Sequence, residues 1–136
     1  MTTPLRVEVM PPAFQLGPIS DAEGAALFRA AVTLLGNWDV TDKQAATLLD
    51  LPLRSFRRWK AGESGRIDRD AKARLSKLIG IHKALRVLFI DSSRGNSWIK
   101  APNDAFSGRS ALDVMLGGEL TDLTRVRGYL DAECSG

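Results

Sequence analysis

The sequence predicts an all-α fold, a bundle of short helices around one long one, on three observations. Apolar residues return at three- and four-residue spacing through most of the chain. Two Ser/Thr-x-x-Glu/Gln start signals stand ahead of such runs, and no stretch alternates apolar and polar residues over the length of a strand.

Residues 1–18 carry Pro4, Pro11, Pro12 and Pro18 without sustained periodicity, and read as an extended, flexible arm. Ser20 with Glu23 has the capping-box pattern, and Ala26, Leu27, Ala30, Ala31, Leu34 and Leu35 then recur at helical spacing up to Gly36. Thr41 with Gln44 repeats the start signal and opens a short helix through Leu49. Asp50, Leu51 and Pro52 interrupt it, because proline lacks an amide donor and Asp tolerates turn geometry. The chain restarts as a helix from Leu53 to Ala61 and stops at Gly62.

From Asp68 to Ile90 the positions Ala71, Leu75, Leu78, Ile79, His82, Leu85, Leu88 and Phe89 trace the apolar stripe of a long amphipathic helix. Ser92 to Gly108 is rich in Ser, Gly and Asn around Trp98 and Phe106, and is expected to be a linker or a packed irregular segment. Two short helices follow, Ser110 to Leu116 and Asp122 to Asp131, parted by Gly117 and Gly118.

Composition narrows the function. The 136 residues are too few for a large enzyme barrel, and 44% hydrophobic with 26% charged residues is an ordinary globular balance. No apolar run reaches the roughly 20 residues of a membrane span, and the amino end lacks a secretory layout, so a cytoplasmic protein is expected. One cysteine, Cys134, and one histidine, His82, are too few for a zinc cluster, an internal disulfide or a Ser-His-Asp arrangement. Cys134 reads as an incidental exposed thiol and His82 as a packed or half-exposed helix residue. No Gly-rich phosphate loop or metal-ligand set is visible, so neither a cofactor nor an enzyme activity is expected.

The formal net charge of +3 hides a strong asymmetry. Residues 41–100 hold 14 Lys or Arg against 6 Asp or Glu, whereas residues 101–136 hold 3 against 6. Averaging therefore hides a basic middle and an acidic end.

Two short helices separated by a three-residue break, the second bearing Arg54, Arg57, Arg58 and Lys60, have the layout of a helix-turn-helix DNA reader. Ala46 is small where the helices cross, and Leu49, Leu51, Phe56 and Trp59 fill the wedge between them. Leu53, Arg54, Ser55, Arg57 and Arg58 are left on the outer side, where an Arg in the major groove can make paired hydrogen bonds to a guanine edge. Lys43, Gln44, Lys60 and Arg66 lie near helix ends and are placed to hold phosphates.

The run AATLLDLPLRSFRRWKAG, residues 45–62, resembles the Xre-type repressor helix-turn-helix, with Ala46, Leu48, Leu49, Leu51, Phe56, Trp59 and Gly62 at matching positions. Asp50 departs from the Gly usual there, and Asp can still adopt a left-handed turn at modest cost. Residues 98–130 resemble the toxin-binding domain of the Xre/MbcA/ParS antitoxins through Trp98, Pro102, Asn103, Phe106, Gly108, Leu112, Asp113, Gly118, Val126 and Leu130. Most of these are expected to pack, turn the chain or cap helices, not to touch a partner.

The resemblance implies an antitoxin of a type II toxin–antitoxin system whose partner is a RES-domain toxin that consumes NAD or transfers ADP-ribose from it. The carboxyl-terminal region would cover the toxin's NAD cleft. Thr121 to Gly136 is the corresponding segment, with Arg125, Arg127, Tyr129, Asp131 and Glu133 as toxin-binding candidates. Carboxylates suit a cleft built to hold a pyrophosphate. The resemblance also implies repression of the chain's own operon through operator DNA, read by a homodimer, since one helix-turn-helix touches too few base pairs for strong specificity. The expected division is an arm over 1–18, a DNA-binding and dimerisation domain over 19–90, and a toxin-binding domain over 91–136. A stand-alone transcriptional regulator whose carboxyl-terminal part dimerises or senses a ligand is the competing reading.

Overall fold

The computed structural model describes residues 19–63 and 66–135, and the expected arm over 1–18 lies outside them. Seven helices are present among the described residues: α1 (Asp21–Asn37), α2 (Asp42–Leu49), α3 (Leu53–Lys60), α4 (Arg69–Leu88), α5 (Ser92–Trp98), α6 (Ala111–Met115) and α7 (Leu120–Ser135). The only strand-like feature among these residues is one antiparallel bridge between Pro102 and Ser110. The all-α expectation holds.

Both start signals work as the chemistry requires. The Ser20 hydroxyl accepts from the Glu23 amide at 3.1 Å while the Glu23 carboxylate accepts from the Ser20 amide at 2.9 Å. Thr41 and Gln44 do the same, at 3.1 and 3.0 Å. Each box satisfies two of the amides that a helix start leaves free. The helix runs one residue past Gly36, to Asn37, before the buried Trp38.

At the break after α2, Asp50 sits in the left-handed region at φ 53°, ψ 48°, a turn that Asp tolerates where the resembled motif has Gly. A side chain there costs about 1 kcal/mol, and a carboxylate at a helix carboxyl end opposes the dipole. Asp50→Gly is therefore expected to raise the unfolding free energy by about 1 kcal/mol, read as a shift in urea midpoint at unchanged slope.

Helix α4 is the axle. Asp68 caps it by accepting from the Ala71 amide at 2.8 Å, and it packs against α1 on one side, α7 on the other and the end of α2 between them. The apolar stripe is turned from the expected one. Ala71, Leu75, Leu78 and Leu85 are buried as foreseen, but Arg74, Ile81 and Ala84 complete the buried face, while Ile79, His82 and Leu88 are only half-buried. Apolarity alone misplaces the stripe because one core position is a cation with carbonyl partners. His82 is held below its ordinary pKa, first by burial and then by the nearby Arg86 charge.

The expectation of a linker over Ser92–Gly108 is corrected. Asp91 caps α5 by accepting from the Ser93 amide at 2.9 Å, and Gly95 lies against Phe89 and Leu85, a fit that allows a polar Ser/Gly-rich run to be helical. A single 3-10 turn, Asp104–Phe106, follows, capped by the Asn103 side chain on the Ala105 amide at 2.9 Å. Ser110 and Asp113 form a third capping box at the start of α6. Helix α7 is longer than expected, sixteen residues, and buries Leu123, Val126 and Leu130.

Candidate functional site

Helices α2 and α3 meet across the left-handed Asp50, with Ala46 and Leu49 buried at the crossing. Phe56 is the one buried residue of α3. It meets Phe28 of α1 edge-on at 5.7 Å, and the half-buried Trp59 meets the same ring at 5.7 Å. With Phe56 turned inward, the 3-4 spacing of Arg54, Arg57 and Arg58 puts all three guanidinium groups on the opposite face, and all three residues are exposed. Lys43, Lys60 and Arg66 are exposed as well, and Ser55 is half-buried. Leu53 also lies partly buried against the core, and the Gln44 side-chain oxygen is taken up by the Thr41 cap.

Asp42 is the residue on this face that the sequence did not flag. Its carboxylate accepts from Lys60 Nζ at 2.8 Å and from Arg57 Nε at 3.4 Å. The Lys60 bond, followed by its charge and by Arg57, holds the Asp42 carboxyl below the usual carboxylate range despite some opposing burial. Pro52 provides no side-chain cap for α3, so the first-turn amides of that helix remain available to solvent or a phosphate oxygen.

The carboxyl-terminal candidates divide onto two flanks of α7, on either side of the buried Leu123–Val126–Leu130 stripe. Arg125, Tyr129 and Glu133 recur every four residues on one flank. Tyr129 is half-buried and stacks on Trp98, centroids 6.1 Å apart and planes 9° apart, and meets Phe106 edge-on at 5.3 Å. The Arg125 guanidinium lies 5.3 Å from the Phe106 ring centre. Arg127 and Asp131 occupy the other flank, paired at 3.5 Å. The Arg127 guanidinium rests on Gly80 of α4, so closely that a Cβ there would stand 2.5 Å from it. Asp131 and Glu133 are exposed, as is Cys134. The free thiol is directed at the Ala84 carbonyl, 3.7 Å away.

The two regions share a buried cation. Arg74, 5% exposed, donates through Nη1 to the Gly118 carbonyl at 2.7 Å and to the Leu48 carbonyl at 3.3 Å, and through Nε to Asp70 at 2.8 Å. Lys100 adds a surface link, donating to the Asp39 carbonyl at 2.9 Å.

A basic helix α3 packed on α1 and α2, followed by a second helical unit with a polar-flanked terminal helix, defines a two-part all-helical protein with a helix-turn-helix. Comparison with known proteins makes the class specific. The antitoxin Xre-like helix-turn-helix domain matches residues 17–80, and the antitoxin Xre/MbcA/ParS carboxyl-terminal toxin-binding domain matches residues 84–136. The chain belongs to the Xre/MbcA/ParS antitoxin family. An uncharacterized protein of Sinorhizobium fredii, y4oB, is 44% identical over 116 residues, 85% of this chain and 86% of that one. The fold is also similar to a chain of the M. tuberculosis MbcT–MbcA toxin–antitoxin complex, with a TM-score of 0.56 at 23% identity over 82% of this chain and 94% of that one. No helix among the described residues is long and apolar enough to cross a membrane.

Proposed function

We propose that this chain is a cytoplasmic type II antitoxin that neutralises a RES-domain, NAD-consuming or ADP-ribosylating toxin, and that as a homodimer it represses its own operon by binding operator DNA. It acts by occlusion and by binding, not as an enzyme. The observation that carries the reading is the pairing, in one chain, of three outward guanidinium groups on α3 with a toxin-binding unit whose last helix keeps Asp131 and Glu133 exposed. Carboxylates at that end complement a cleft that binds a pyrophosphate, while Arg54, Arg57 and Arg58 suit base edges and phosphates. Lys43, Gln44, Leu53, Ser55 and Lys60 complete the proposed DNA face. Arg125, Arg127, Tyr129, Asp131 and Glu133 form the toxin face. The domain division proposed is 19–90 and 91–136.

Co-expression tests the central claim. The product of the adjacent gene is expected to arrest growth alone, to be silent with this chain, and to lose NAD turnover in the purified complex. A neighbour that is harmless by itself removes the antitoxin role and leaves a stand-alone regulator.

Asp42 makes a sharper prediction for the DNA face. It neutralises Arg57 and Lys60, so Asp42→Asn is expected to tighten operator binding several-fold and to steepen its salt dependence by about one counterion, measured by titration over a salt series. The same change flattens the acid limb of stability. A carboxyl with a depressed folded pKa contributes stability above its unfolded pKa, near 3.9, and that contribution is lost as pH falls through the lower folded value.

A further inference from the structure

Helices α4 and α7 run side by side in the same direction. Near the start of α7, Gly118 accepts from Arg74 of α4. Further along, Arg127 lies on Gly80, and at the far end Cys134 reaches Ala84. The positions of α4 that meet the later part of α7, Gly80 and Ala84, are four residues apart, and the next position on that face is Val87. Among the described residues, the contact of α7 with this face that lies furthest along α4 is the one at Ala84. Ala84 is 6% exposed, whereas Val87 is 72% exposed and Ile90, just past the end of α4, is fully exposed. These two are the large exposed hydrophobic residues among those described. Their neighbours Leu88 and Phe89 turn inward and are half-buried, so Val87 and Ile90 are not loose ends of an unpacked segment.

We infer that Val87 and Ile90 form an apolar anchor for the cognate toxin, a second contact that continues the face of α4 past Ala84. The inference rests on the antitoxin reading. Three observations select the toxin as occupant. The pair lies inside the segment matched by the toxin-binding domain, residues 84–136. It stands at the same end of the molecule as Asp131, Glu133 and Cys134, so a protein receiving the end of α7 meets it at once. Charges of both signs are exposed in the same stretches of the two helices, Lys83 and Arg86 on α4 and Asp131 and Glu133 on α7. That pattern suits a heterologous protein surface with an apolar depression and charges of both signs, since interface centres are apolar and rims polar. The area offered by two side chains is far below what a stable dimer of this chain would need by itself, but it is of the right size for a hot spot beside a larger contact.

The test uses the full chain and the RES-domain product of the adjacent gene, mixed and measured by calorimetry or surface binding. Val87→Asp with Ile90→Asp, and separately Val87→Ser with Ile90→Ser, are expected to weaken toxin affinity by about 30-fold and about 10-fold, with the thermal midpoint of the isolated chain unchanged within a few degrees. Unchanged affinity in both doubles, with tight binding by the unsubstituted chain, overturns the anchor while leaving the antitoxin reading standing. Absence of binding by the unsubstituted chain overturns both. Conversion of a dimer to a monomer in sedimentation, with toxin affinity retained, assigns the patch to a second copy and also overturns the proposal.

Discussion

Replacing Arg74 by methionine is expected to lower the unfolding free energy by about 3 kcal/mol and the thermal midpoint by about 10 °C. The methionine keeps the apolar stem and removes the guanidinium. That group supplies hydrogens to the last turn of α2, at the Leu48 carbonyl, and to the bend before α7, at the Gly118 carbonyl. Both acceptors lie beside a side chain only 6% exposed, so water does not readily replace it. Asp70 is about half-exposed and can be rehydrated, which places the effect at the lower end of the range for a broken buried pair. Because the two carbonyls belong to the two matched domains, the substitution is also expected to raise proteolysis at residues 117–119 before the helices themselves unfold. Loss of stability with no change in local cleavage would mean that Arg74 serves the core alone.

Arg54→Ala with Arg58→Ala is expected to weaken operator binding by two to three orders of magnitude at physiological salt, taking about 1–3 kcal/mol for each base or phosphate contact. Toxin binding should be unaffected, since Arg54 and Arg58 are exposed and neither side chain has a hydrogen-bond or ion-pair partner among the described residues. Thermal stability should move little for the same reason. The salt dependence distinguishes the two roles an Arg can play. A phosphate contact lowers the slope by about one, and a base contact leaves it while relaxing sequence preference. Retention of full operator affinity would remove α3 as the reading helix. Truncation after Gly118 would not be a reciprocal experiment, because it would strip the buried Leu123, Val126 and Leu130 from the face of α4. Each of these buried side chains contributes roughly 1.5–3 kcal/mol, so the shortened chain would lose its support along with its toxin face. Charge changes at Asp131 and Glu133, both exposed, are expected to weaken toxin binding alone and so to separate the tasks without that cost.

What was legible in the sequence was local. The caps at Ser20 and Thr41 need only residues three apart, and the break at Asp50–Pro52 is written in backbone preferences. Helix boundaries there fall within a residue or two of expectation. The long helix was legible in extent but not in phase, because its pattern was read from apolar residues and Arg74 is buried by virtue of two carbonyls contributed from 26 and 44 residues away. Helix α5 was missed for a related reason. Its Ser, Gly and Asn composition argues against a helix, and what overrides it is Gly95 packing against Phe89 and Leu85. At the candidate sites, the outward Arg cluster on α3 followed from the 3-4 spacing and the inward Phe56. The Asp42 pairing, the Tyr129–Trp98 stack and the seating of Arg127 on Gly80 depend on which helices become neighbours, and no periodicity carries that.

The three reciprocal caps bear on the order in which the molecule assembles. Helices α1, α2 and α6 each begin at a motif closed by side chains three residues apart, so their first turns are favoured before any distant segment arrives. The seam between α4 and α7 has no such head start, since it joins residues about 45 positions apart in the chain. On a nascent or refolding chain, the amino-terminal helices can therefore be in place while α7 is still searching for its bed. A toxin surface able to catch that helix would then act as a template for the last step of folding.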